Sequence, residues 1–562
     1  MAQNVDTKIR DRRRDRGPKG RPLDDNALRE VRALLGGRPR RPDLLIEFLH
    51  LIQDEYRCLS ARHLRALAED MRMAQAEIYE VASFYDHFDV VKEGEAEPAP
   101  LTIRVCDSIA CMVAGAEKLF AEVAGAVDPA AIRVVRAPCV GRCAGAPAAR
   151  IGDREVDHAT REGLLAMARA GEIGVAVPAY IALAAYQAEG GYKLLHRVRA
   201  GEVTADTLMA TMQAAGLRGL GGAGFQAGKK WEIVRSFPGP RLMSINGDEG
   251  EPGTFKDRVY LERDPHRTLE GALIAAHAVE ADKIYLYMRD EYPAVLAILR
   301  AEIAALEAAK IVAPGFIELR RGAGAYICGE ESAMLESIEG KRGLPRHRPP
   351  YIAEVGLFGR PTLNHNIETV WWIRDIVEKG AEWFAAQGKP GHPGPRSWSV
   401  SGRVKDPGVK LAPAGVTVRE LIEQHCGGMA DGHTFKAYLP GGASGGILPA
   451  SMGDIPLDFG GELAKQGAFV GSHAVVVFSD KDSAKDAAVN LLKFFRHESC
   501  GQCTPCREGT GKMVALLEKS GALDETGLRD LETVMRDSSI CGLGQAAPNP
   551  VNHLLLHFRE DL

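Results

Sequence analysis

Two groups of four cysteines constrain this chain more than any other feature of its sequence. The chain has 562 residues and 11 cysteines. The first group lies in the N-terminal third and consists of Cys106, Cys111, Cys139 and Cys143. The second lies near the C-terminus and consists of Cys500, Cys503, Cys506 and Cys541. The remaining cysteines, Cys58, Cys328 and Cys426, are isolated, and each is predicted to be a buried thiol rather than a ligand.

The spacing of the second group indicates a [4Fe–4S] cluster. In ESCGQCTPCREG two residues separate each cysteine from the next, and the fourth cysteine follows much later in SSICGLG. Three closely spaced thiolates with a remote fourth are the usual ligand arrangement of such a cluster. A structural zinc site is the alternative, since zinc also binds four thiolates.

The first group indicates a cluster of another type. LTIRV and AIRVVRAP are rich in β-branched residues, and they precede the cysteine pairs in CDSIAC and CVGRC. Both segments are predicted strands, with a helix in AGAEKLFAEVAG between them, so the two pairs should meet at one sheet edge. Gaps of four and three residues are closer to [2Fe–2S] usage than to the two-residue gaps of structural zinc sites. Zinc is again the alternative.

Bulk composition argues against several other classes of function. With 45% apolar and 26% charged residues, the chain is typical of a soluble globular protein. Its formal net charge of -5 is small for this length and argues for neither nucleic acid nor a membrane as its partner. No run of about 18 apolar residues is present, so no membrane span is predicted. The length predicts roughly three or four domains.

The N-terminal stretch KIRDRRRDRGPKGR is strongly basic. An export signal would need an apolar segment after the arginines, and none follows, so a cytoplasmic location is predicted. In a cytoplasmic chain the cysteines are not expected to form structural disulfides. We interpret the basic stretch as a disordered arm, with contact to an acidic partner subunit or to nucleic acid as alternatives.

Clusters of two types imply that electrons move through this protein one at a time. A nicotinamide releases two electrons together as hydride, and a flavin is the usual cofactor that converts between the two modes. Plant-type [2Fe–2S] centres lie near about −400 mV, close to the potential of nicotinamide. We therefore expect a flavin site and a nicotinamide site in the same chain.

A glycine-rich segment, GLRGLGGAGFQAGKKW, is the first candidate for these sites. It contains the G-x-G-x-x-G pattern at Gly219, Gly221 and Gly224. A predicted helix in TADTLMATMQAAG precedes it, whereas a Rossmann fingerprint must follow a strand. Its backbone can still approach a phosphate, with Lys229 and Lys230 supplying positive charge. A flexible loop is the alternative.

Two further segments carry carboxylates in turns. The first, SINGDEGEPGTFKDR, contains Asn246, Asp248, Glu249 and Glu251. The second, RRGAGAYICGEESAMLESIEG, contains Tyr326, Gly329, Glu330 and Glu331. Such side chains suit ribose or ribityl hydroxyls, and carboxylates repel a 2′-phosphate, which favours NAD over NADP. A solvated acidic surface is the alternative for each segment.

These segments, together with GLFGRPTLNHNIET and the second cysteine group, resemble the NADH-oxidising flavoprotein subunit of complex I. That family includes the diaphorase subunits of NAD-linked hydrogenases and formate dehydrogenases. The resemblance extends from about Ala179 to the C-terminus. Residues from about Arg41 to Glu172, with RPDLLIEFLHLIQDEYRCLSARHLRALAEDMRMAQAEIYEVASFYDHF, resemble a second complex I subunit, the thioredoxin-like [2Fe–2S] protein. The chain looks like a fusion of the two subunits.

The resemblance implies a multidomain α/β and α+β fold. The expected parts are a basic disordered arm at 1–24, a helical bundle at 25–98, a thioredoxin-like [2Fe–2S] domain at 99–175, an α/β FMN/NAD-binding domain at 176–394, a small ubiquitin-like domain of the SLBB type at 395–480, and a C-terminal helical bundle carrying [4Fe–4S] at 481–562. For the ubiquitin-like domain we expect a packing role rather than ligand binding.

The resemblance also implies roles for particular residues. FMN would be held by Gly219, Gly221, Gly222, Lys230, Asn246, Asp248, Tyr326, Gly329, Glu330 and Asn366. NAD would be contacted by Phe225, Glu249, Glu251, Glu331, Arg348 and Tyr351. Hydride would pass directly between nicotinamide and flavin, near Glu249 and Glu331, so no side chain need act as acid or base. The two cysteine groups would hold the [2Fe–2S] and [4Fe–4S] clusters.

Three segments depart from the family pattern. Leu220 stands where the family usually has an arginine in the glycine turn. Arg348 and Tyr351 replace a lysine and a phenylalanine that flank a Pro-Pro pair. His365 and Asn366 replace a pair of asparagines. These substitutions mostly preserve charge, ring or polarity, so FMN binding is still expected.

The resemblance favours the diaphorase subunit of an NAD-dependent molybdenum or tungsten formate dehydrogenase, because the fused arrangement and the CGLGQAAPNP tail look like that branch. Such a chain would carry electrons reversibly between NAD and a molybdopterin-containing partner with further iron–sulfur clusters. The alternative is the corresponding module of a bidirectional NAD-linked hydrogenase or of complex I. A different class is an electron carrier or scaffold without nucleotide, against which Lys230, Glu249, Glu251 and Glu331 argue.

Overall fold

The computed structural model describes residues 20–562, so most of the predicted basic arm lies outside the described residues. The chain divides into two compact units. The first comprises the described residues up to Pro98 together with Glu339–Arg342, and the second comprises Ala99–Ile338 and Gly343–Leu562. The finer division into six parts stays a prediction.

The first unit is mainly helical. Its helices are α1 (Asp25–Leu35), α2 (Leu45–Tyr56), α3 (Ala61–Met71) and α4 (Gln75–Ala82), and its strands β1 (Leu59–Ser60) and β2 (Val90–Val91) form a short parallel pair. Helix α1 begins where the Asp24 carboxylate accepts hydrogen bonds from the backbone N–H groups of Asn26 and Ala27, which satisfies two otherwise unpaired donors. It buries Ala27, Val31 and Leu35, which lie on one helical face.

The second unit begins with a four-stranded mixed sheet. Its strands are β3 (Leu101–Cys106), β4 (Ile132–Ala137), β5 (Ala149–Ile151) and β6 (Arg154–Val156), in the order β4-β3-β5-β6. Its helices are α5 (Ile109–Val113), α6 (Ala116–Ala124) and α7 (Arg161–Ala170). Strands β3 and β4 are parallel, with Cys106 opposite Ala137. The two cysteine loops that follow these strands therefore lie at the same sheet edge, as the sequence predicted.

A second sheet is entirely parallel. Its strands are β7 (Arg241–Gly247), β8 (Ala281–Met288), β9 (Ile317–Arg321) and β10 (Thr362–Asn366), in the order β10-β7-β8-β9. After β9 the chain returns to the other side of β7, so the strand order reverses between β7 and β10. Open parallel sheets bind ligands beyond the carboxyl ends of the strands at such a switch point.

Helices surround this parallel sheet and complete its core. They are α8 (Leu183–Ala188), α9 (Lys193–Arg199), α10 (Ala205–Ala214), α11 (Ala227–Ser236), α12 (Lys256–Arg263), α13 (Pro265–Ala278), α14 (Pro293–Ala308), α15 (Glu331–Ile338), α16 (Ile367–Trp371), α17 (Ile373–Lys379) and α18 (Ala381–Ala385). Buried Met243, Ile245, Ile284 and Leu286 of β7 and β8 belong to one apolar cluster with Trp231 of α11. Helix α10 precedes the glycine turn, so the prediction of a helix rather than a strand there is confirmed.

A third sheet follows in the chain. Its strands are β11 (Pro395–Gly402), β12 (Gly408–Pro413), β13 (Phe435–Leu439), β14 (Leu448–Pro449) and β15 (Ala474–Ser479), in the order β12-β11-β15-β13-β14. Helix α19 (Val418–Glu420), a π-helical turn at Leu421–His425 and helix α20 (Gly461–Lys465) accompany it. Trp398, Tyr438, Val475 and Val477 are fully buried in its apolar core, which is distinct from that of the parallel sheet although Phe459 packs against both.

The C-terminal part is helical. Its helices are α21 (Ala484–His497), α22 (Thr504–Glu518), α23 (Glu525–Ser538), α24 (Gly542–Ala546) and α25 (Asn549–His557). Short 3-10 turns lie at Pro42–Leu44, Cys143–Gly145, Tyr326–Gly329, Leu357–Gly359, Ala443–Gly445, Ala450–Met452 and Arg559–Asp561. Among residues 20–562 we find no helix with the length and apolar character needed to cross a membrane.

Candidate functional site

The carboxyl edge of the parallel sheet collects most of the predicted cofactor residues. At the switch point Asn246 of β7 is the register partner of Asn366 of β10. The acidic loop after β7 starts at Asp248, and the loop after β9 leads to Glu330 and Glu331 at the start of α15. Parallel strands end at one edge, so segments far apart in sequence share a single crevice.

The glycine turn lies against the end of β10. Its ends are joined by a hydrogen bond from the Gly219 N–H to the Phe225 carbonyl oxygen, 2.8 Å long. A Cβ at Gly221 would lie 2.8 Å from the Cβ of Asn366, so only glycine permits this approach. The neighbouring Gly222 has open space where a Cβ would be. The turn thus presents backbone to the crevice, as a phosphate or flavin site requires.

Glu331 lies between two cations at the crevice. Lys230 Nζ is 3.3 Å from Glu331 Oε2 and donates a hydrogen bond of 3.1 Å to the Asn364 carbonyl oxygen. Arg348 Nη2 is 3.3 Å from Glu331 Oε1 and also pairs with Glu330. Burial acts to raise the pKa of Glu331, but Lys230 and Arg348 outweigh it and hold this pKa below its ordinary value. Glu331 is therefore ionised.

Asp248 offers a buried acceptor to a ligand. Within the described residues its Oδ2 atom is buried and has no hydrogen-bond partner. Burial raises the pKa of Asp248 well above its ordinary value. The Asn246 side chain beside it is engaged at both ends, accepting from the Asp248 N–H at 3.0 Å and donating to the Gly329 carbonyl oxygen at 2.9 Å. A Cβ at Gly329 would lie 3.9 Å from Asp248 Oδ2, and an unpaired buried oxygen beside a glycine fits the hydroxyl-rich chain of FMN.

Glu249 is buried and directed into the protein. Its carboxylate accepts hydrogen bonds from the N–H groups of Asp257 and Arg258, 2.8 and 3.2 Å long, and from the Tyr292 hydroxyl at 3.0 Å. Burial raises the pKa of Glu249 to about 8. A solvated acidic surface, the alternative from sequence, does not describe this residue.

Glu251 is also buried, and it meets the third sheet's part of the chain. Its Oε1 accepts from the Ser444 N–H at 2.8 Å, and its Oε2 accepts from the Tyr326 hydroxyl. The Tyr326 N–H donates to Glu498 Oε2 at 2.9 Å, and the Tyr326 and Phe494 ring centroids lie 5.0 Å apart. Tyr326 therefore links the crevice to the end of α21, just before the second cysteine group.

The remaining predicted contacts differ in exposure: Glu330 bonds a helix terminus, whereas the rings of Phe225 and Tyr351 face solvent. Glu330 Oε2 accepts from the N–H groups of Ser332 and Ala333 at 3.0 and 2.9 Å, which caps the first turn of α15. Phe225 is 50% exposed and Tyr351 is 59% exposed. These two rings remain available to a ligand, whereas one Glu330 oxygen is committed to the helix.

The four cysteines of the first group are all buried, and their thiols interact with one another. Cys139 Sγ and Cys143 Sγ lie 3.4 Å apart, and Cys111 Sγ accepts from the Ala148 N–H at 3.4 Å. Hydrogen bonds from the thiols of Cys106 and Cys143 hold the pKa of Cys139 well below its ordinary value. Four converging sulfurs, including one that favours the thiolate, are the donor set of an iron–sulfur cluster.

A buried arginine ties this cysteine group to the crevice. Arg289 follows β8 and donates to the Cys139 carbonyl oxygen at 2.7 Å and to the Glu249 carbonyl oxygen. Arg258 Nε donates to the Gly141 carbonyl oxygen at 3.1 Å. A Cβ at Gly141, whose φ is 68°, would lie 2.1 Å from the Tyr292 hydroxyl oxygen. The cysteine loop and the acidic loop are thus packed as one structure.

The second cysteine group lies where helices begin. Cys503 and Cys541 are the N-cap residues of α22 and α24. Burial raises the pKa of Cys506 to about 11 and that of Cys541 to about 12. A Cβ at Gly544 would lie 2.8 Å from the Cβ of Cys506, so glycine permits the remote segment to close on the first three cysteines. Helix N-termini favour the anionic thiolates that iron requires.

Four known families match the sequence. They are described as the Nuo51 FMN-binding domain at residues 212–375, the NADH-ubiquinone oxidoreductase-F iron-sulfur binding region at 486–562, the thioredoxin-like [2Fe-2S] ferredoxin at 31–170 and the SLBB domain at 399–448. The predicted multidomain fold class is confirmed by these matches, including the SLBB-type part.

Relatives match over most of their own length. The F 2 subunit of NADH-quinone oxidoreductase from Rhizobium meliloti (strain 1021) is 42% identical over 403 residues, 69% of this chain and 95% of that protein. The F subunit of NADH-quinone oxidoreductase from Aquifex aeolicus (strain VF5) is 40% identical over 392 residues, 67% of this chain and 89% of that protein. The chain belongs to the family of NADH-oxidising flavoprotein subunits.

A solved structure with the same fused arrangement is also similar. A chain of the NAD+-reducing [NiFe]-hydrogenase in the air-oxidized state matches with a TM-score of 0.81 at 34% identity, over 94% of this chain and 94% of that chain. This member of the flavoprotein family is therefore an NADH:acceptor oxidoreductase subunit with FMN, [2Fe–2S] and [4Fe–4S] domains. The predicted cofactor set is confirmed.

Two departures from the family pattern, Leu220 and His365, are explained by their packing. Leu220 is fully buried, and its N–H donates to Thr369 Oγ1 at 2.9 Å. It therefore stabilises the glycine turn on the side that faces the protein interior. His365 Nε2 accepts from Trp231 Nε1 at 2.6 Å, and burial holds the pKa of His365 well below its ordinary value. Both replacements pack into the protein. Asn366 caps α16 by accepting from the Glu368 N–H at 2.9 Å.

Sequence reasoning missed Arg258, Arg289 and Tyr292, which connect the cysteine loop to the acidic loop. Arg289 and Tyr292 lie outside the quoted motifs, and Arg258 ends the segment SINGDEGEPGTFKDR, in which only Asn246 and the carboxylates were given roles. The available signal was position alone, because Arg289 directly follows the last residue of β8 at the carboxyl edge of the sheet. Buried Lys256 was missed as well, although it lies 2.8 Å from Asp257 and 2.9 Å from Glu368.

Proposed function

We propose that this chain exchanges hydride with NAD(H) at an FMN held in the switch-point crevice, and exchanges single electrons with a partner subunit through its cysteine groups. When bound, FMN supplies the conversion between two-electron and one-electron transfer. The observation that carries the proposal is the convergence at one crevice of the glycine turn, the unpaired Asp248 oxygen and hydrogen-bonded links toward both cysteine groups.

The proposed FMN contacts follow from the crevice. They are Gly219, Gly221, Gly222, Lys230, Asn246, Asp248, Tyr326, Gly329, Glu330 and Asn366. The glycines would allow close backbone approach, Lys230 would supply positive charge, and Asp248 would bond a hydroxyl of the ligand. Asn366, whose amide also donates to Asp257 at 2.6 Å, would act mainly by shaping the switch point.

The proposed NAD contacts separate into two kinds. Phe225 and Tyr351 are exposed rings on which a planar base can stack, and Glu331 with Arg348 forms an ion pair that a ribose hydroxyl can join. Glu249 and Glu251 have their oxygens engaged with protein donors. We therefore assign them the role of fixing the acidic loop behind the nucleotide.

For the clusters, we propose that Cys106, Cys111, Cys139 and Cys143 hold [2Fe–2S] and that Cys500, Cys503, Cys506 and Cys541 hold [4Fe–4S]. The second group is the better candidate for contact with a partner, because Cys500, Cys503 and Cys541 are partly exposed whereas the whole first group is buried. Absorption and electron paramagnetic resonance spectra of the purified chain would distinguish these clusters from the alternative, a zinc site in either position.

As the partner we propose a hydrogen-converting subunit in a multisubunit complex. The supporting observation is that the NAD+-reducing [NiFe]-hydrogenase chain shares the fused arrangement over 94% of both chains. Formate, with a molybdopterin-containing partner, is the second candidate. It is supported by the CGLGQAAPNP tail, since the fused arrangement no longer distinguishes the two. A complex I module is the third arrangement, because NADH-quinone oxidoreductase relatives match as well.

The test uses the complex purified anaerobically from its native cells through a tag on this chain. Hydrogen-dependent reduction of NAD+ without formate-dependent reduction supports the proposal. Formate-dependent reduction assigns the chain to the formate branch instead. If neither donor works while NADH reduces an artificial acceptor, a quinone-linked complex is indicated. Failure to oxidise NADH with FMN and both clusters present contradicts the proposed hydride exchange itself.

A further inference from the structure

Three side chains of the first unit converge outside the redox site. His50 and Asp54 belong to α2, and His87 belongs to the loop after α4. One ligand atom from each lies within 4.8 Å of the other two. We propose that His50, Asp54 and His87 bind a divalent zinc ion that fastens α2 to this loop.

Helix geometry places the first two ligands. His50 and Asp54 are four residues apart on α2, so their side chains lie one turn apart on the same face. His50 is only 2% exposed, and its ring centroid lies 4.9 Å from that of Phe88. Asp54 is exposed. The site has an apolar floor and one side open to solvent, which is an arrangement that lets an ion enter.

The third ligand is held by its backbone. Gln53 of α2 donates through its side-chain amide to the His87 carbonyl oxygen and accepts from the Asp89 N–H at 2.7 Å. The Asp89 carbonyl oxygen accepts in turn from the Leu59 N–H at 2.8 Å, next to the β1–β2 pair. The His50 and His87 ring centroids lie 4.9 Å apart. The loop is thus positioned before an ion binds, which lowers the entropic cost of binding.

The three ligand types favour zinc over calcium and magnesium. Two imidazole nitrogens and one carboxylate oxygen suit zinc, whereas calcium and magnesium prefer oxygen ligands throughout. Zinc bonds of about 2.0–2.1 Å in a tetrahedron place ligand atoms roughly 3.3 Å apart, which is compatible with three ligand atoms that all lie within 4.8 Å of one another. Small rotations of the exposed Asp54 and the partly exposed His87 side chains can bring the three ligand atoms to that separation. The fourth position is then open to water.

This site differs chemically from the two cysteine groups. It has no sulfur ligand and lies in the other compact unit of the chain, so iron–sulfur clusters are not its natural occupants. A zinc ion here has no part in the electron transfer proposed above. Its expected effect is to stabilise the contact between α2 and the loop that carries His87.

The test uses the full chain, purified anaerobically with flavin and clusters in place. After incubation with zinc chloride and gel filtration, we expect one retained equivalent of zinc. Its X-ray absorption spectrum should show nitrogen and oxygen neighbours with imidazole scattering. His50→Gln and His87→Gln each remove a direct ligand and should weaken zinc binding by more than the roughly 10- to 100-fold that loss of an outer-shell partner costs. His196→Gln changes an exposed histidine of α9 and should retain the ion.

Asp54→Asn is the variant expected to fold normally, because Asp54 is exposed and the amide has the same shape as the carboxylate. Unchanged flavin and cluster spectra with weakened zinc binding in this variant support the site. The proposal is overturned if wild-type protein retains no zinc, if the spectrum shows sulfur neighbours, or if all three variants bind zinc as tightly as His196→Gln. Zinc-dependent protection of α2 from hydrogen exchange in wild type alone is the second supporting measurement.

Discussion

Asp248 stands out among the residues of the crevice because one of its buried oxygens has no partner in the described part of the chain. Its neighbours Asn246 and Glu249 have their side chains engaged. An unsatisfied buried polar group costs about 1–3 kcal/mol. A ligand hydroxyl that bonds this oxygen would recover that free energy, so we predict that FMN binding removes a cost that the flavin-free protein carries.

Replacing Asp248 by Ala should therefore weaken FMN binding without lowering the stability of the flavin-free protein. We expect a loss of roughly 5- to 150-fold in affinity, the equivalent of about 1–3 kcal/mol. Equilibrium dialysis of FMN and a thermal unfolding scan of the flavin-free chain give the two values. Asp530→Ala, at an exposed position of α23, is the control. Unchanged FMN affinity in Asp248→Ala would remove this residue from the site.

Cys503 tests the second cysteine group. Replacing it by Ala removes one of four predicted ligands, so transfer to the partner subunit should be lost while NADH oxidation with an artificial acceptor survives. Both activities are measured on the purified complex. Cys426→Ala, a change at an isolated buried cysteine, should retain both. Loss of both activities in Cys503→Ala would mean that the [4Fe–4S] cluster is structural or that the ligand assignment is wrong.

At the scale of single elements, α25 is joined to the β13–β14 region through a neutral histidine. His553 Nδ1 accepts from the Ile447 N–H at 3.1 Å, and its Nε2 lies 2.9 Å from the Gln466 carbonyl oxygen, to which it donates. A Cβ at Gly446, whose φ is 80°, would lie 2.1 Å from His553 Nδ1. Protonation of Nδ1 would abolish the bond from Ile447, so this packing requires the neutral ring.

The stability of this contact should depend on pH. Burial lowers the pKa of His553 from 6.5 to about 4, so the unfolded chain binds the proton more readily. The free energy by which the neutral ring stabilises the folded chain is complete above about pH 6.5 and is lost as the pH falls toward about 4. The loss between pH 7.5 and pH 5 is about 2 kcal/mol. Hydrogen exchange at Ile447, corrected for its intrinsic rate, measures this loss.

His553→Gln should flatten that pH dependence, because glutamine does not titrate in this range. His557→Gln, on the same helix but partly exposed, should retain most of the pH dependence. If protection of Ile447 in wild type does not change between pH 7.5 and pH 5, the histidine does not control the contact.

Local sequence patterns predicted the elements better than their contacts. The strands before Cys106 and Cys139, the helix between them and the helix before the glycine turn are all present, because periodicity and β-branching act locally. The burial of Glu249 was not predictable, since it depends on Tyr292 and on α12 folding over the loop. The trio of His50, Asp54 and His87 joins two segments that no short motif connects.

At the scale of the whole second unit, Arg289 connects the first cysteine loop with the acidic loop after β7. Its guanidinium is buried and is partly balanced by Glu291, whose Oε2 lies 3.1 Å from Nε. A positive charge near an iron–sulfur cluster favours the reduced, more negative state. Arg289 therefore positions the two loops, and we predict that its charge raises the reduction potential of the proposed [2Fe–2S] centre.

Arg289→Gln should lower the potential of that centre by on the order of tens of millivolts. Arg289→Lys retains the charge but cannot make the paired hydrogen bonds, so it should loosen the two loops with a smaller change in potential. A redox titration followed by electron paramagnetic resonance measures the first effect, and hydrogen exchange across residues 139–143 measures the second. Equal potentials in wild type and Arg289→Gln would limit the arginine to a packing role.

The packing of the first cysteine loop against the acidic loop has a consequence for assembly, because both loops belong to one polypeptide. Phe255, Cys139 and Cys143 share one buried apolar cluster, and this contact forms within the chain rather than between subunits. Its strength does not fall on dilution, since the effective concentration of one loop near the other is set by the connecting chain. Because both redox domains belong to one polypeptide, they are always synthesised in a one-to-one ratio.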